Sequence, residues 1–300
     1  MNWKSDLIRS RAGRFFLERA AKFYDQFVCT AGAVRRQARK PRKVGTRLRF
    51  SVGIPHYNRG RLIYRPLFNL LNHPAVDEVV IVDDGSRVEE YQSLKDFVDS
   101  LDCGNRVKIF RREENRGALL TKLECVERSS SEWVLVLDSD NTAFSSYLDA
   151  LGGIRNPDPQ IFYCASWAWP WFPFEGLGLE QIDFKRAEKL CRDGRLRKFY
   201  IINDGNYLVH RNSYSETVSR IGQISSDVVD VMVVNYLWLS LGGKLEMVPE
   251  RSYFHRVDAS SFYKRTEDDS KRRLLEIFKR FESGECCGEK FLEDLRSGKL

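Results

Sequence analysis

Two aspartates one residue apart, Asp138 and Asp140, follow the apolar run Val134–Leu137. A turn after a buried strand can aim both carboxylates at one hard cation, and Mg2+ or Mn2+ typically takes one or two carboxylates together with substrate phosphate oxygens. The spacing therefore indicates a divalent metal and a diphosphate ligand. The alternative is that the pair caps a helix beginning near Phe144.

A second acidic pair, Asp83 and Asp84, precedes Gly85 at the end of another apolar run. A carboxylate in this position can accept hydrogen bonds from a nucleobase imide or a ribose hydroxyl, and glycine permits the tight turn. Alone, the sequence DDGS is also an ordinary turn. Its interpretation therefore depends on which polar residues follow the neighbouring strands.

Four apolar runs alternate with amphipathic segments, a pattern that predicts a mostly parallel α/β sheet with helices on both faces. The runs are Phe50–Pro55, Glu78–Asp84, Arg106–Phe110 and Trp133–Asp138. Polar residues follow each run. Open α/β sheets bind ligands at the carboxyl ends of their strands, so we expect these polar residues to share one rim.

Four segments together resemble the nucleotide-binding half of family 2 glycosyltransferases with the GT-A fold. They are SVGIPHYNR (51–59), EVVIVDDGS (78–86), NRGALLTK (115–122) and EWVLVLDSDN (132–141). The resemblance implies a Rossmann-like, mostly parallel central sheet with helices on both faces, and the chain adds a basic N-terminal helix and C-terminal helices. It also implies a nucleotide-sugar donor, with UDP as the expected nucleotide, and Mn2+ or Mg2+.

The resemblance assigns roles to individual residues. The donor would contact Pro55, Tyr57, Asn58, Asp83, Asp84, Asn115, Gly117, Lys122, Asp138 and Ser139. Lys122 stands where the family often has Arg. The metal ligands would be Asp140, Asp138 and His255, the last at a position where many relatives place a third ligand. The alternative for His255 is a packing role beside two aromatic residues.

Two acids, Asp227 and Asp230, lie in the first turns of an apolar segment that Ser225 or Ser226 would cap. A helix N-terminus stabilises a carboxylate, which could accept the proton of an acceptor hydroxyl in an inverting displacement. Ser226 stands where the family usually has Glu. Counting back from Gly242 favours Asp230 as the base, but the choice between the two acids stays open, as does a purely structural role.

Three alternating tryptophans, Trp167, Trp169 and Trp171, would present their indoles on one face of an extended chain. Indole faces suit sugar C–H groups, so we expect acceptor contacts here. The alternative is a core or lipid-facing cluster. The segment Asn203–Asn206 and Arg211 form a further polar loop that we expect to face the same cleft, with Asn206 as an acceptor contact.

The basic character of the chain belongs to one end, because residues 1–49 carry a net charge of +11 and the remainder −4. We expect this arm to lie on an anionic membrane surface or to pack on the body, and we expect no nucleic-acid partner. The predicted division is an arm and linker (1–47), a GT-A domain (48–262, with a nucleotide-binding half 48–142 and an acceptor half 143–262) and a helical extension (263–300).

Seven scattered cysteines without CxxC spacing favour neither a disulfide framework nor a zinc site. No secretory signal or membrane-spanning run is evident, so we expect a cytoplasmic protein or one peripheral at the inner face of a membrane.

The predicted activity is metal-dependent, inverting transfer of a hexose from a nucleotide sugar to a hydroxyl of a glycan or lipid-linked glycan. One alternative is a haloacid-dehalogenase-like phosphatase that uses Asp138 as nucleophile, although that motif normally opens its domain. A sugar-1-phosphate nucleotidyltransferase should show a Gly-rich loop after the first strand. A non-catalytic nucleotide-sugar-binding protein is the remaining alternative.

Overall fold

The computed structural model describes residues 48–101, 103–169, 172–173, 181–193, 200–222, 230–248, 252–256 and 267–297. The strands are β1 (Phe50–His56), β2 (Val76–Asp83), β3 (Val107–Arg111), β4 (Trp133–Val136), β5 (Thr142–Ala143), β6 (Ile161–Ala165), β7 (Trp167–Trp169), β8 (Phe172–Pro173), β9 (Gln181–Ile182), β10 (Leu208–His210), β11 (Lys244–Val248) and β12 (Tyr253–Phe254). The helices are α1 (Tyr64–Leu71), α2 (Val88–Asp99), α3 (Ala118–Glu127), α4 (Ser145–Gly152), α5 (Phe184–Arg192), α6 (Arg211–Ile221), α7 (Asp230–Ser240), α8 (Glu267–Ser283) and α9 (Gly288–Arg296).

A central sheet has the strand order β3-β2-β1-β4-β10-β6-β11-β9. The first four strands of this order are parallel to one another, and β6 is parallel to β11. Strand β10 runs antiparallel to both of its neighbours, and β9 runs antiparallel to β11. The predicted mostly parallel α/β architecture is therefore confirmed.

Two hydrophobic cores lie on opposite faces of this sheet, because successive side chains of a strand point to opposite sides. In β4, Val134 and Val136 join the core with α3 and α5 to α9. Trp133 and Leu135 join the core with α1, α2 and α4. Both faces are thus covered, which explains why the inner strands are mostly apolar and do not alternate regularly with polar residues.

Helix α7 is a core helix, since every residue from Asp230 to Leu239 is buried. The two C-terminal helices pack on it through Phe281 and Phe291, whose rings lie 4.8 and 4.3 Å from that of Tyr236. The described part of the C-terminal segment therefore shares the core of the sheet, and the predicted domain limits stay predictions. No helix in the described ranges is long and apolar enough to cross a membrane.

Glu78 in β2 ties together the strand ends at the edge opposite the candidate site. Its carboxylate accepts hydrogen bonds from Ser51 Oγ (2.9 Å), from the Ser130 backbone N–H (2.6 Å) and from Lys108 Nζ (2.6 Å). Burial opposes ionisation, but these partners outweigh it and lower the pKa of Glu78 to about 2. The buried carboxylate thereby links β1, β2, β3 and the approach to β4.

We expect Glu78→Gln to reduce the free energy of unfolding at neutral pH by about 2–3 kcal/mol. Because the pKa is lower in the folded state, this stability is present above the unfolded pKa and is lost as the pH falls towards about 2. Urea unfolding across that pH range measures it. Asp77→Asn is the control, because Asp77 pairs with the exposed Arg49 and should cost under about 1 kcal/mol. Equal losses in the two variants would contradict the assignment.

Candidate active site

The turn that carries Asp138 and Asp140 directly follows β4. The Leu137 N–H donates to Gly53 O in β1 (3.0 Å), and the Asn141 N–H closes the turn on Asp138 O (3.0 Å). Strand β5 follows at once, and the Phe144 side chain, not a carboxylate, occupies the N-cap position of α4. The helix-cap alternative for this acidic pair is therefore wrong.

A small second sheet, with the order β5-β12-β7-β8, joins three segments of the predicted site. It pairs the strand after the acidic turn with β12, which leads to His255, and pairs β12 with the tryptophan strand β7. The His255 N–H donates to Trp169 O (2.8 Å), and the Arg256 N–H donates to Asn141 Oδ1 (3.3 Å). Segments more than 80 residues apart in sequence thus meet at one place.

The side-chain oxygen and nitrogen atoms near the acidic turn are of the kind that coordinate a hard divalent cation. Asp138 and Asp140 supply carboxylates, and the Arg59 guanidinium, itself a cation, bonds to Asp140. Burial lowers the pKa of His255 to about 4 despite the Asp138 charge, so its imidazole is neutral at pH 7. Among the described residues no three His, Cys, Asp or Glu side chains lie close enough together to hold a metal. The arrangement fits a site in which one or two protein carboxylates bind the metal and substrate phosphates supply the other ligands.

Lys122 connects the acidic turn to the start of α7. Its Nζ lies 2.7 Å from Asp230 Oδ2 and 3.6 Å from Asp138 Oδ1, and the Lys122 side chain is only 8% exposed. Burial opposes protonation, but the two carboxylates outweigh it and raise the pKa of Lys122 above its usual value. The lysine likewise lowers the pKa of Asp138 against the effect of burial. One ammonium thus joins a predicted donor contact to a predicted base.

The structure gives the two acids of the second pair different partners. Asp83 forms a fully buried pair with His56 Nδ1 (2.7 Å), which lowers the pKa of Asp83 against the effect of burial. Asp84 accepts hydrogen bonds from the backbone N–H groups of Arg116 and Gly117, both at 2.9 Å. As placed, Asp84 holds the loop that begins at Asn115. Its predicted nucleoside contact stays a prediction.

The remaining predicted donor residues line the same rim. Asn58, in the left-handed backbone region at φ 52°, bridges the two strand-end loops: its N–H donates to Ser86 Oγ (2.8 Å) and its Oδ1 accepts from the Arg87 N–H (2.9 Å). A cavity of about 820 Å3 lies between this loop and the start of α2, a size that suits a nucleotide. The half-exposed Tyr57 and Arg59 line it. Ser139 is buried in the acidic turn, and Pro55 is partly buried near the end of β1.

On the acceptor side, Trp167 and Trp169 are half-buried on one face of β7, and Trp169 packs 5.6 Å from the ring of Phe254. Trp171 and Asp227 lie outside the described residues. Arg211 does not face the cleft: it contacts Ser129 O and Glu132 O, which precede β4 at the opposite edge. The reason is that β10 runs antiparallel to β4. The beginning of β10 therefore lies at the rim, and its end, where Arg211 follows, lies at the opposite edge of the sheet.

Asn206 is buried, with both ends of its amide bonded inside the protein. Its Oδ1 accepts from the Asp138 N–H (3.0 Å), and its Nδ2 donates to Asp204 Oδ1 (3.1 Å). Burial raises the pKa of Asp204 to about 6, although its hydrogen bonds oppose the rise. Asp204 belongs to the polar loop that the sequence predicts at the cleft, and Arg59 ends the resembling segment 51–59, but the sequence assigned neither residue a role of its own.

The fold is that of the GT-A type, as two solved structures show. The mannosyltransferase PcManGT from Pyrobaculum calidifontis, solved with GDP-Man and Mn2+, is 16% identical, with a TM-score of 0.52 over 94% of this chain and 84% of that one. GalNAc-T7, solved with UDP, GalNAc and Mn2+, is 18% identical, with a TM-score of 0.51 over 85% of this chain and 57% of that one.

The sequence model described as glycosyl transferase family 2 matches residues 51–216, which is more than half of the chain, so the chain belongs to this family. It is 29% identical over 110 residues to an uncharacterized glycosyltransferase of Mycoplasma pneumoniae, the MG060 homolog. That match spans 36% of each protein, so the chain covers about a third of this relative's length. The predicted family is confirmed, and the phosphatase alternative for Asp138 is wrong.

Proposed function

We propose that the protein is a metal-dependent, inverting glycosyltransferase that moves a hexose from a UDP-sugar to a hydroxyl of a glycan or lipid-linked glycan. The observation that carries this proposal is the buried ammonium of Lys122, which joins Asp230 to Asp138. This link supports a base at Asp230 close to the carboxylate that we expect at the donor. The two solved structures contain Mn2+ together with UDP and GalNAc or with GDP-Man, which supports a nucleotide-sugar donor and a divalent metal.

Asp230 is suited to accept a proton at one oxygen. Its Oδ2 is fixed by Lys122, whereas no described residue forms a hydrogen bond with Oδ1. As an acceptor hydroxyl attacks the anomeric carbon, its proton passes to Oδ1 while the bond from that carbon to the diphosphate oxygen breaks. The leaving oxygen keeps the electron pair. Attack from the side opposite the leaving group inverts the anomeric centre.

Asp138 and Asp140 would hold the metal, which neutralises the negative charge of the leaving diphosphate when bound. His255 is the proposed third ligand, a role that requires its imidazole to move closer to the two carboxylates than in this structure. Tyr57, Asn58 and the loop held by Asp84 would receive the nucleoside, and Trp167 and Trp169 would contact the acceptor. We further propose that residues 1–47 associate with an anionic membrane surface, since their basic excess suits such a surface.

A donor panel measured by thermal unfolding tests the proposal. We expect UDP-sugars to stabilise the protein in the presence of Mn2+, by about 2.7 kcal/mol at a ligand concentration a hundred times Kd, and not after metal removal with EDTA. Release of UDP should rise when an acceptor is added, and NMR of the product should show inverted anomeric configuration. Stabilisation by GDP-sugars alone would overturn the UDP assignment. Binding without transfer to any acceptor would favour a non-catalytic binder.

A further inference from the structure

Asp204 lies at the meeting point of two segments of the candidate metal site. It belongs to the loop before β10, is 6% exposed and contributes none of the predicted metal ligands. Three donors converge on its Oδ1: the Asn206 N–H (2.9 Å), Asn206 Nδ2 (3.1 Å) and Tyr253 Oη (3.1 Å). Its Oδ2 is buried and has no hydrogen-bond partner in the described part of the chain.

The carboxylate fixes which way the Asn206 amide points. Because Asp204 Oδ1 accepts from Nδ2, the amide oxygen must face the other side, where it receives the Asp138 N–H (3.0 Å) and Asn141 Nδ2 (3.2 Å). The flipped amide would set its NH2 against the Asp138 N–H and its oxygen against a carboxylate, so neither contact would form. Orientation of the acidic turn thus depends on Asp204 through Asn206.

Asp204 Oδ1 also accepts a hydrogen bond from the strand that leads to His255. Tyr253 in β12 is buried, and its hydroxyl donates to Asp204 two residues before the histidine. Strand β12 is short and pairs with the strand that follows the acidic turn. A single buried acceptor therefore anchors both the turn with the two carboxylates and the strand with the imidazole.

We propose that Asp204 is a positioning residue for the metal site: through Asn206 it orients the acidic turn that carries Asp138 and Asp140, and through Tyr253 it orients the strand that leads to His255. This inference rests on the proposed function. Groups that orient metal ligands without touching the metal typically change metal affinity 10–100-fold when removed, and Asp204 is expected to do the same.

The test measures Mn2+ affinity in the presence of UDP, by the electron paramagnetic resonance of free Mn2+, for the full chain and its variants. Asp204→Ala should weaken Mn2+ binding about 10–100-fold and raise the Mn2+ concentration needed for half-maximal turnover. Asp204→Asn keeps an oxygen that can accept all three donors, so it should stay within about threefold of the unsubstituted protein. If Asp204→Ala does not fold, Asp204→Leu, which keeps the shape without the acceptor, takes its place.

Tyr147→Phe is the matched control. It removes an equally buried hydrogen bond to Asn206, from Tyr147 Oη to the backbone oxygen (3.1 Å), without altering the side-chain amide. We expect unchanged Mn2+ affinity in this variant. Equal weakening in Tyr147→Phe and Asp204→Ala, or full affinity in Asp204→Ala, would overturn the positioning role while leaving the proposed function intact. Failure of the unsubstituted protein to bind Mn2+ with UDP would overturn both.

Discussion

Asp230→Asn is expected to lower kcat about 10²–10⁴-fold while the protein still binds its nucleotide sugar. The amide cannot take up the proton of the acceptor hydroxyl, and the rest of the side chain keeps its shape. Asp230 begins the buried helix α7 and contacts Lys122, whose second carboxylate partner Asp138 remains at 3.6 Å. Donor binding is therefore expected to survive.

Single-turnover kinetics with saturating donor and acceptor measure the chemical step, and calorimetry with donor and Mn2+ measures binding. Asp227→Asn is the matched variant, because it makes the same change three residues earlier in the chain. We expect it to retain most of the turnover. Loss of turnover in Asp227→Asn with activity kept in Asp230→Asn would move the base to Asp227.

The sequence predicts the parallel half of the sheet well because its inner strands β1, β2 and β4 are buried on both faces. Such strands are continuous apolar runs, and the polar residues after them mark the rim. The acidic pair Asp138 and Asp140 could be found in this way. The helical cover on both faces follows from the same pattern.

Pairings between distant segments were not predictable, since no local pattern records them. Lys122 and Asp230 are 108 residues apart, and the sequence assigned them separately to the donor and to catalysis. The direction of β10 was equally hidden. Because this strand is antiparallel, the loop before it, with Asp204 and Asn206, lies at the rim, whereas Arg211 after it lies at the opposite edge.

The structure also changes how the turn sequence DDGS is interpreted in this chain. Asp84 is engaged by two backbone N–H groups and by Arg112 Nη1 (3.0 Å), and Gly85 sits so close to the next loop that an added Cβ would meet the Glu114 backbone at 2.8 Å. These contacts fix the geometry of the rim before any ligand arrives. A role in preorganisation is therefore compatible with the predicted role in binding.

Asp140→Ala should weaken Mn2+ binding in the presence of UDP by more than about a hundredfold and reduce turnover in parallel. Removing even a residue that only orients a metal ligand typically lowers metal affinity about 10–100-fold, and Asp140 is a proposed ligand itself. Asp140 lies in a turn outside the two cores, so the fold should persist. The measurement is Mn2+ affinity together with the Mn2+ dependence of kcat. Removal of metal with EDTA should abolish turnover of the unsubstituted protein, and added Mn2+ should restore it.

Arg59→Gln separates loss of a ligand from loss of an ion pair. In this structure the guanidinium bonds to the Asp140 carboxylate, which a metal would also use, so the two cations compete. Removing the arginine should leave Mn2+ affinity unchanged or increase it, whereas removing the aspartate should abolish binding. Full turnover and Mn2+ affinity in Asp140→Ala would contradict the metal role of the acidic turn. Equal losses in both variants would assign the pair a structural role.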